Sequence, residues 1–387
     1  MSDQIPAGPY ASARAGRLVP QQSGFDGYAA FIPAPLPPVP PLDLSGRLGG
    51  LLERASSSLG RLDGISRGID PDRLLYMYIR KEAVLSSQIE GTQSTLAELL
   101  ESENDEAPGI PVADIQEVSR YVSALRYGVQ QLNDGYPISL RLIREVHGVL
   151  MASGRGAQHV PGEFRRTQNW IGGTRPGTAR FVPPPPHELL RVLGELERFI
   201  WEGDATPIVK AGLVHAQFET IHPFLDGNGR LGRLLISMML CADKALAQPF
   251  LYLSLYFKQY RDDYYRAMQS IRNDGDWEQW MAYYLEGVDW TARQATATTT
   301  ALLDLFHADR ARVSSIVRGA STLRVYEALQ SKVIVSIRRV AEDVKITVPT
   351  ATAALKRLEE LGIAREITGR NYGRLFAYDR QLQIIDE

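Results

Sequence analysis

The chain has 387 residues, of which 44% are hydrophobic and 23% charged, enough apolar material for two or three globular domains and too much for a disordered protein. A net charge of -2 gives no global attraction to nucleic acid or to anionic membrane, so either partner would have to be met by a local patch. One cysteine, Cys241, rules out an internal disulfide framework. Neither a secretory signal at the N-terminus nor a run of about 18 apolar residues is present, so the expected location is cytoplasmic, with no membrane partner.

In chain order, residues 1 to about 45 are rich in Pro, Gly, Ala and Ser and culminate in FIPAPLPPVPPLDL, which cannot be helical. We read them as an extended arm lying on the main domain, because Phe31, Ile32, Leu36 and Val39 would otherwise face water. DPDRLLYMYIRKEAVLSSQIEG then gives a helix, opened by an Asp cap with Pro behind it and closed at Gly91. Helical periodicity returns at 113–132, 139–152, 186–201, 207–221, 229–242, 255–271 and 277–293, so the middle of the chain is all-α. The exception is NWIGGTRPGTARFVPPPP, residues 169–186, whose two β-like runs around a Gly/Pro cluster predict a hairpin. From Leu323 to Asp386, three amphipathic helices followed by two short strands give winged-helix order.

The stretch ETIHPFLDGNGRLGRLL, residues 219–235, carries the chemistry. Pro223 biases His222 away from helical geometry, so the helix from Pro207 should end at the histidine. Gly227, Gly229 and Gly232 let backbone approach a ligand closely, and the helix starting near Asn228 aims its free N–H groups into the same space, an anion cradle. Arg230 and Arg233 can add charge-assisted hydrogen bonds to phosphate oxygens. Asp226, a carboxylate among phosphate binders, is explained if it holds Mg²⁺ bridging those phosphates. His222 is the one group there with a near-neutral intrinsic pKa, suited to take a proton from an attacking hydroxyl. This is neither a Walker A loop nor a dinucleotide fingerprint.

HPFLDGNGRLGR resembles the signature of the Fic-domain family, His-Pro-Phe-x-Asp/Glu-Gly-Asn-Gly-Arg-x-x-Arg, at every fixed position. The resemblance implies a mainly α fold, a Fic-type helical bundle with a β-hairpin flap, here with a C-terminal winged-helix domain. It implies transfer of AMP from ATP to a Ser, Thr or Tyr hydroxyl of a protein, itself included among the candidates. On that analogy His222 is the base and Asp226 holds Mg²⁺. Asn228 and the loop N–H groups bind phosphate, and Arg230 and Arg233 contact the outer phosphates.

The segment 169–186 fits the family's flap, on which a target strand is thought to pair, with Asn169, Trp170, Ile171, Gly172 and Gly173 as the docking edge. Arg165 and Arg166 just before it are expected to anchor the loop and are assigned no chemistry. SSQIEG, residues 86–91, resembles the family's inhibitory motif, which implies that Glu90, supported by Ser86, pairs with Arg233 and displaces the γ-phosphate.

The expected division is 1–69, arm and lead-in helix; 70–310, Fic core with inhibitory helix 71–90, flap 169–186 and motif 222–233; and 311–387, the winged-helix-like domain. The basic excess of this last domain is small, so docking of a target or dimerisation into a homodimer is preferred over DNA. The alternatives to an adenylyltransferase are a nucleotide-sensing, DNA-binding regulator and a de-AMPylase working through the same site. His147, His159, His187, His215 and His307 lack metal-ligand spacing and are assigned no role.

Overall fold

The computed structural model describes residues 13–23, 26–67, 71–104, 112–153, 158–316 and 320–386. Two antiparallel strands, β1 (Gly16–Ser23) and β2 (Asp26–Pro33), come first. The helices α1 (Gly46–Ser66), α2 (Pro71–Ile89), α3 (Leu96–Ser102), α4 (Val112–Asn133) and α5 (Leu140–Leu150) follow. After the flap segment come α6 (Leu189–Glu202), α7 (Pro207–Ile221), α8 (Asn228–Ala242), α9 (Ser254–Gln259), α10 (Arg261–Asp274) and α11 (Trp277–Ile316). The C-terminal part contains α12 (Ala320–Lys332), β3 (Ile334–Ser336), α13 (Ile337–Asp343), α14 (Val348–Glu360), β4 (Arg365–Glu366), β5 (Leu375–Ala377) and α15 (Asp379–Asp386). Its strands pair antiparallel in the order β3-β5-β4, which completes a winged helix.

The centre of the bundle is α7. Pro207 occupies its first turn, and every residue from Ile208 to Ile221 is buried, so a helix apolar on all sides has neighbours on all sides. A central helix of this kind holds its ends rigidly. α8, the next helix in the chain, packs against it, and α2 and α4 contact α8.

The N-terminal arm is more ordered than an extended ribbon. Its first part is the β1–β2 hairpin, and the Phe31 amide donates to the Val182 carbonyl, so β2 lies along the flap. Phe31 and Ile32 are buried and Leu36 half-buried, but Val39 is 73% exposed, so the arm shelters only part of the apolar set expected of it.

The flap itself closes through a single bridge, Ile171 to Phe181, with a short 3-10 turn at Pro176–Thr178, and does not extend into a two-stranded ladder. Gly172 and Gly173 follow Ile171 with φ of +71° and +74°, which bends the first run away, and the prolines from Pro183 onward offer no amide donors to the second. At Gly173 a Cβ would lie 2.4 Å from the Thr178 carbonyl oxygen, so the turn demands glycine.

Two further departures concern helix length. The run 255–271 is divided at Tyr260 into α9 and α10, and the helix starting at Trp277 continues to Ile316. It thereby passes the expected domain limit at 310 without a break. The C-terminal part also reaches back onto α2 and α3. Lys81 Nζ donates to the Ile385 carbonyl, while Asn104 Nδ2 donates to the Ile334 carbonyl (3.2 Å) and its Oδ1 accepts from the Ser336 amide (3.1 Å). Among the described residues no helix is long and apolar enough to cross a membrane.

Candidate active site

Three chain segments converge at the junction of α7 and α8. His222 is the C-terminal cap of α7, in the left-handed conformation at φ 48°, ψ 61°. Pro223 excludes ordinary helical geometry there, and a β-carbon makes the left-handed region costly, so surrounding bonds must hold it. They are present: Arg165 Nε donates to the His222 carbonyl (2.9 Å), Arg165 Nη2 to the Pro184 carbonyl (2.6 Å), and Asn169 Nδ2 to the His222 and Phe224 carbonyls (3.2 and 2.9 Å). Arg165 thus anchors the loop as expected, whereas Arg166 is exposed. The Asn169 side chain turns inward onto the loop, which leaves Trp170 as the exposed apolar residue of the flap edge.

The His222 ring is half-buried, and its Nδ1 is buried with no hydrogen-bond partner among the described residues. Burial first, then the charges of Arg272 and Arg165, push its pKa down to about 4, so at neutral pH the imidazole is a free base.

From Phe224 to Asn228 the loop folds on itself. Asn228 Oδ1 accepts from the Phe224 amide and its Nδ2 donates to the Phe224 carbonyl, both at 2.9 Å. The Asn228 side chain therefore shapes the loop. Gly227, φ 78°, is the N-terminal cap of α8, and its amide donates to Asp226 Oδ1 (2.6 Å). Asp226 Oδ2 stays near the surface, 3.8 Å from His159 Nδ1.

A histidine assigned no role in the sequence holds this loop. His147 Nδ1 accepts from the Gly162 amide (2.8 Å), which makes Nε2 the protonated nitrogen, and Nε2 donates to the Asp226 carbonyl (3.0 Å). Its ring stacks on Phe224 at 3.7 Å between centroids. Burial pushes its pKa down to about 4, which keeps that tautomer neutral. Nothing in the spacing of the sequence pointed to it. The signal that existed was position: a polar residue on the apolar face of a helix.

The two motif arginines have different partners. Arg230 Nη1 lies 2.8 Å from Glu117 Oε1 of α4, with both side chains buried, and 3.5 Å separate its Nη2 from Asp226 Oδ1. Arg233 Nη2 lies 2.7 Å from Glu90 Oε1, one residue beyond α2, and donates also to the Ser86 carbonyl (2.9 Å). Arg233 Nε donates to Ser86 Oγ (2.9 Å). Burial alone would raise the Glu90 pKa, but the charge and hydrogen bond of Arg233 hold it below the ordinary carboxylate range. Glu90 thus sits next to the start of α8: a Cβ on Gly229 would lie 2.3 Å from Glu90 Oε1. A carboxylate here occupies the ground that the free N–H groups of α8 offer to an anion. Gly232 makes room in the same way for Glu219: a Cβ on Gly232 would lie 2.4 Å from Glu219 Oε1. Glu219 is buried deeply enough that its pKa rises to about 7.

Among the described residues no group of three His, Cys, Asp or Glu side chains encloses a metal site. The donor set fits Mg²⁺ rather than a caged ion: one accessible carboxylate, with the remaining ligands left to phosphate and water. Cys241 lies away from this chemistry, its thiol pushed up to about 12 by burial.

A helical bundle in which a histidine-capped helix leads through a glycine-rich turn into a second buried helix defines the class of fold. The comparisons make it particular. The family model described as Fic/DOC family N-terminal matches residues 50–130, that of the Fic/DOC family residues 137–240, and a winged helix-turn-helix DNA-binding model residues 320–365. Residues 137–240 thus form a region similar to the Fic/DOC family, preceded by one similar to that family's N-terminal segment.

Protein adenylyltransferase Fic of Drosophila grimshawi is 31% identical over 198 residues, covering 49% of this chain and 37% of that protein. The chain thus spans little more than a third of the length of the curated relatives it matches. Among solved structures, a Fic family protein from Desulfovibrio desulfuricans matches with a TM-score of 0.58 at 19% identity over 87% of this chain and 97% of its own. A Fic domain containing signaling protein from Bacteroides thetaiotaomicron matches at 0.51 and 19% identity, over 65% of this chain and 97% of its own. These two likenesses establish the fold.

Proposed function

We propose that the chain is a protein adenylyltransferase, transferring AMP from ATP to a protein hydroxyl, and that Glu90 holds it inactive. The observation that carries this reading is the placement of the Glu90 carboxylate on Arg233 and above Gly229, at the mouth of an anion cradle adjoining a neutral histidine. In the working enzyme His222 takes the proton of the target hydroxyl, the oxygen attacks the α-phosphorus, and pyrophosphate leaves. The phosphates are received by the N–H groups at the start of α8 and by Arg233. Asp226 would hold Mg²⁺, which would supply neutralisation of phosphate charge.

The target lies along the exposed flap edge at Trp170, Ile171 and Gly172. His147, Asn169 and Arg165 keep the loop and the His222 carbonyl in place while this happens. With Glu90 on Arg233, ATP meets one cation fewer and one carboxylate more where its γ-phosphate should go, and binds out of line for attack.

Transfer of label from α-labelled ATP tests the reading. His222→Ala, made in a Glu90→Gly chain, should lower transfer about 10² to 10⁴-fold while ATP binding stays within a few fold. Undiminished transfer in that double variant would remove His222 from the mechanism.

A further inference from the structure

The last carbonyls of α7 have no following turn to bond. Two buried guanidiniums reach this end of the helix. Arg165, from the segment leading into the flap, donates to the carbonyls of His222 (2.9 Å) and Ile221 (3.4 Å). Arg272, in the last turn of α10, donates through Nη2 to the Glu219 carbonyl (3.3 Å) and through Nε to Thr220 Oγ1 (3.3 Å). The Arg272 guanidinium carbon also lies 3.9 Å from the ring centroid of Phe181. Phe181 makes the one bridge that closes the flap, and its ring meets Phe31 of β2 at 5.8 Å. One side chain therefore touches both the helix end that carries His222 and the ring that ties the flap down.

An isolated helix C-terminus favours a protonated histidine, since its carbonyls attract positive charge. Two guanidiniums at this end reverse that preference. We propose that Arg272 is a positioning residue for the transfer: its guanidinium fixes the flap to the C-terminal end of α7, and its charge beside His222 holds the imidazole as a free base.

The groups facing His222 are Arg272 from α10, Arg165 from the flap approach, Glu90 beyond α2 and the backbone of Glu219 on α7. After burial, the two arginines are the influences that lower the His222 pKa, Arg272 more than Arg165, while the Glu219 backbone and Glu90 oppose them. The Phe181 contact adds a cation–π interaction in a dry setting, where such pairs are at their strongest.

This inference rests on His222 being the base, and its test is independent of turnover. In a ¹³C-histidine-labelled chain, the His222 resonance, assigned by its loss in His222→Asn, is followed by NMR through a pH titration, alongside hydrogen exchange at the Ile171 and Phe181 amides. Arg272→Gln should move the His222 midpoint up by about one unit or more and speed exchange at both amides. Arg272→Lys, which keeps the charge but loses the planar fork, should leave the midpoint near that of the unaltered chain and still speed exchange. Phe181→Leu should speed exchange without moving the midpoint.

An unmoved midpoint in folded Arg272→Gln overturns the proposal. Should that variant fail to fold, unchanged exchange in both Arg272→Lys and Phe181→Leu overturns it instead. Absence of AMP transfer in every chain overturns the functional reading, whereas an unmoved imidazole overturns this one. In the Glu90→Gly background, the acid limb of the transfer rate should follow the imidazole upward in Arg272→Gln.

Discussion

Arg230 and Arg233 stand three residues apart on α8, each paired with a carboxylate, yet the two pairs are built differently. Glu117 and Arg230 are 5% and 4% exposed, and Glu117 stands within α4, held along its length by the bundle. Arg233 is 3% exposed, but its partner Glu90 is 38% exposed and follows the last residue of α2, in a turn whose amides bond only to Ser87 and Gln88. The first pair joins two helices, and neither member can leave without stranding a buried charge. The second joins a fixed cation to a carboxylate that can swing into water. The same ion-pair chemistry thus gives a strut in one place and, on the proposed function, a removable block in the other, and what separates them is how firmly the acid is held.

Breaking each pair should bring out this difference. The largest effect expected is on stability: Glu117→Ala removes the buried partner of the Arg230 guanidinium, leaving it the longer contact to Asp226 (3.5 Å), and should cost about 3 kcal/mol in urea denaturation. Glu90→Ala, whose side chain is more than a third exposed, should cost less than about 1 kcal/mol after screening by solvent. Comparable losses for the two would erase the distinction between strut and block.

On activity the order reverses. Without the carboxylate, Arg233 is free for the γ-phosphate in the proposed reaction, a charge-assisted contact worth about 1.5 to 3 kcal/mol, or roughly tenfold to a hundredfold in rate. Glu90→Gly should therefore raise AMP transfer by about tenfold or more, and Glu117→Ala should not raise it at all.

The smallest effect is in pH dependence. Glu90 has its pKa depressed by Arg233, so the pair is complete above the unfolded carboxylate pKa and is lost only as pH falls through the lower folded value. The ratio of transfer rates between Glu90→Gly and the unaltered chain should stay level from about pH 8 to about pH 5.5. A ratio that collapses within that range would mean that Glu90 is not held ionised by Arg233.

What could be read in the sequence was local. Pro207, Pro223, Gly227 and the Asn228 start of α8 are signals carried within a few residues, and the helix ends fall where they place them. Glu90 was legible because a carboxylate at a helix end followed by glycine conflicts with the helix dipole. The next helix start is equally local: α3 is opened by a capping box of Thr95 and Glu98, which leaves Glu90 outside it.

The residues that were missed act across long separations. Glu117 meets Arg230, Arg272 meets Phe181, and His147 meets Asp226, in each case through tertiary packing that leaves no periodic mark. The N-terminal hairpin forms by the pairing of β1 with β2, and the Phe31 amide then ties it to the flap across a long separation. The flap was legible as a turn but not as a single bridge. That outcome is set by where the glycines bend it and by the support of β2 and Arg272.

The central claim is that Glu90 works by holding Arg233, and the most direct measurement is transfer of α-labelled AMP by four chains: unaltered, Glu90→Gly, Arg233→Ala, and the two substitutions together. If Glu90 inhibits through Arg233, Glu90→Gly alone is activated by about tenfold or more, Arg233→Ala is not, because it loses the phosphate contact with the block, and the double variant recovers little. Activation of the same size in the double variant, or a Glu90→Gly rate no higher than that of the unaltered chain, would contradict the account.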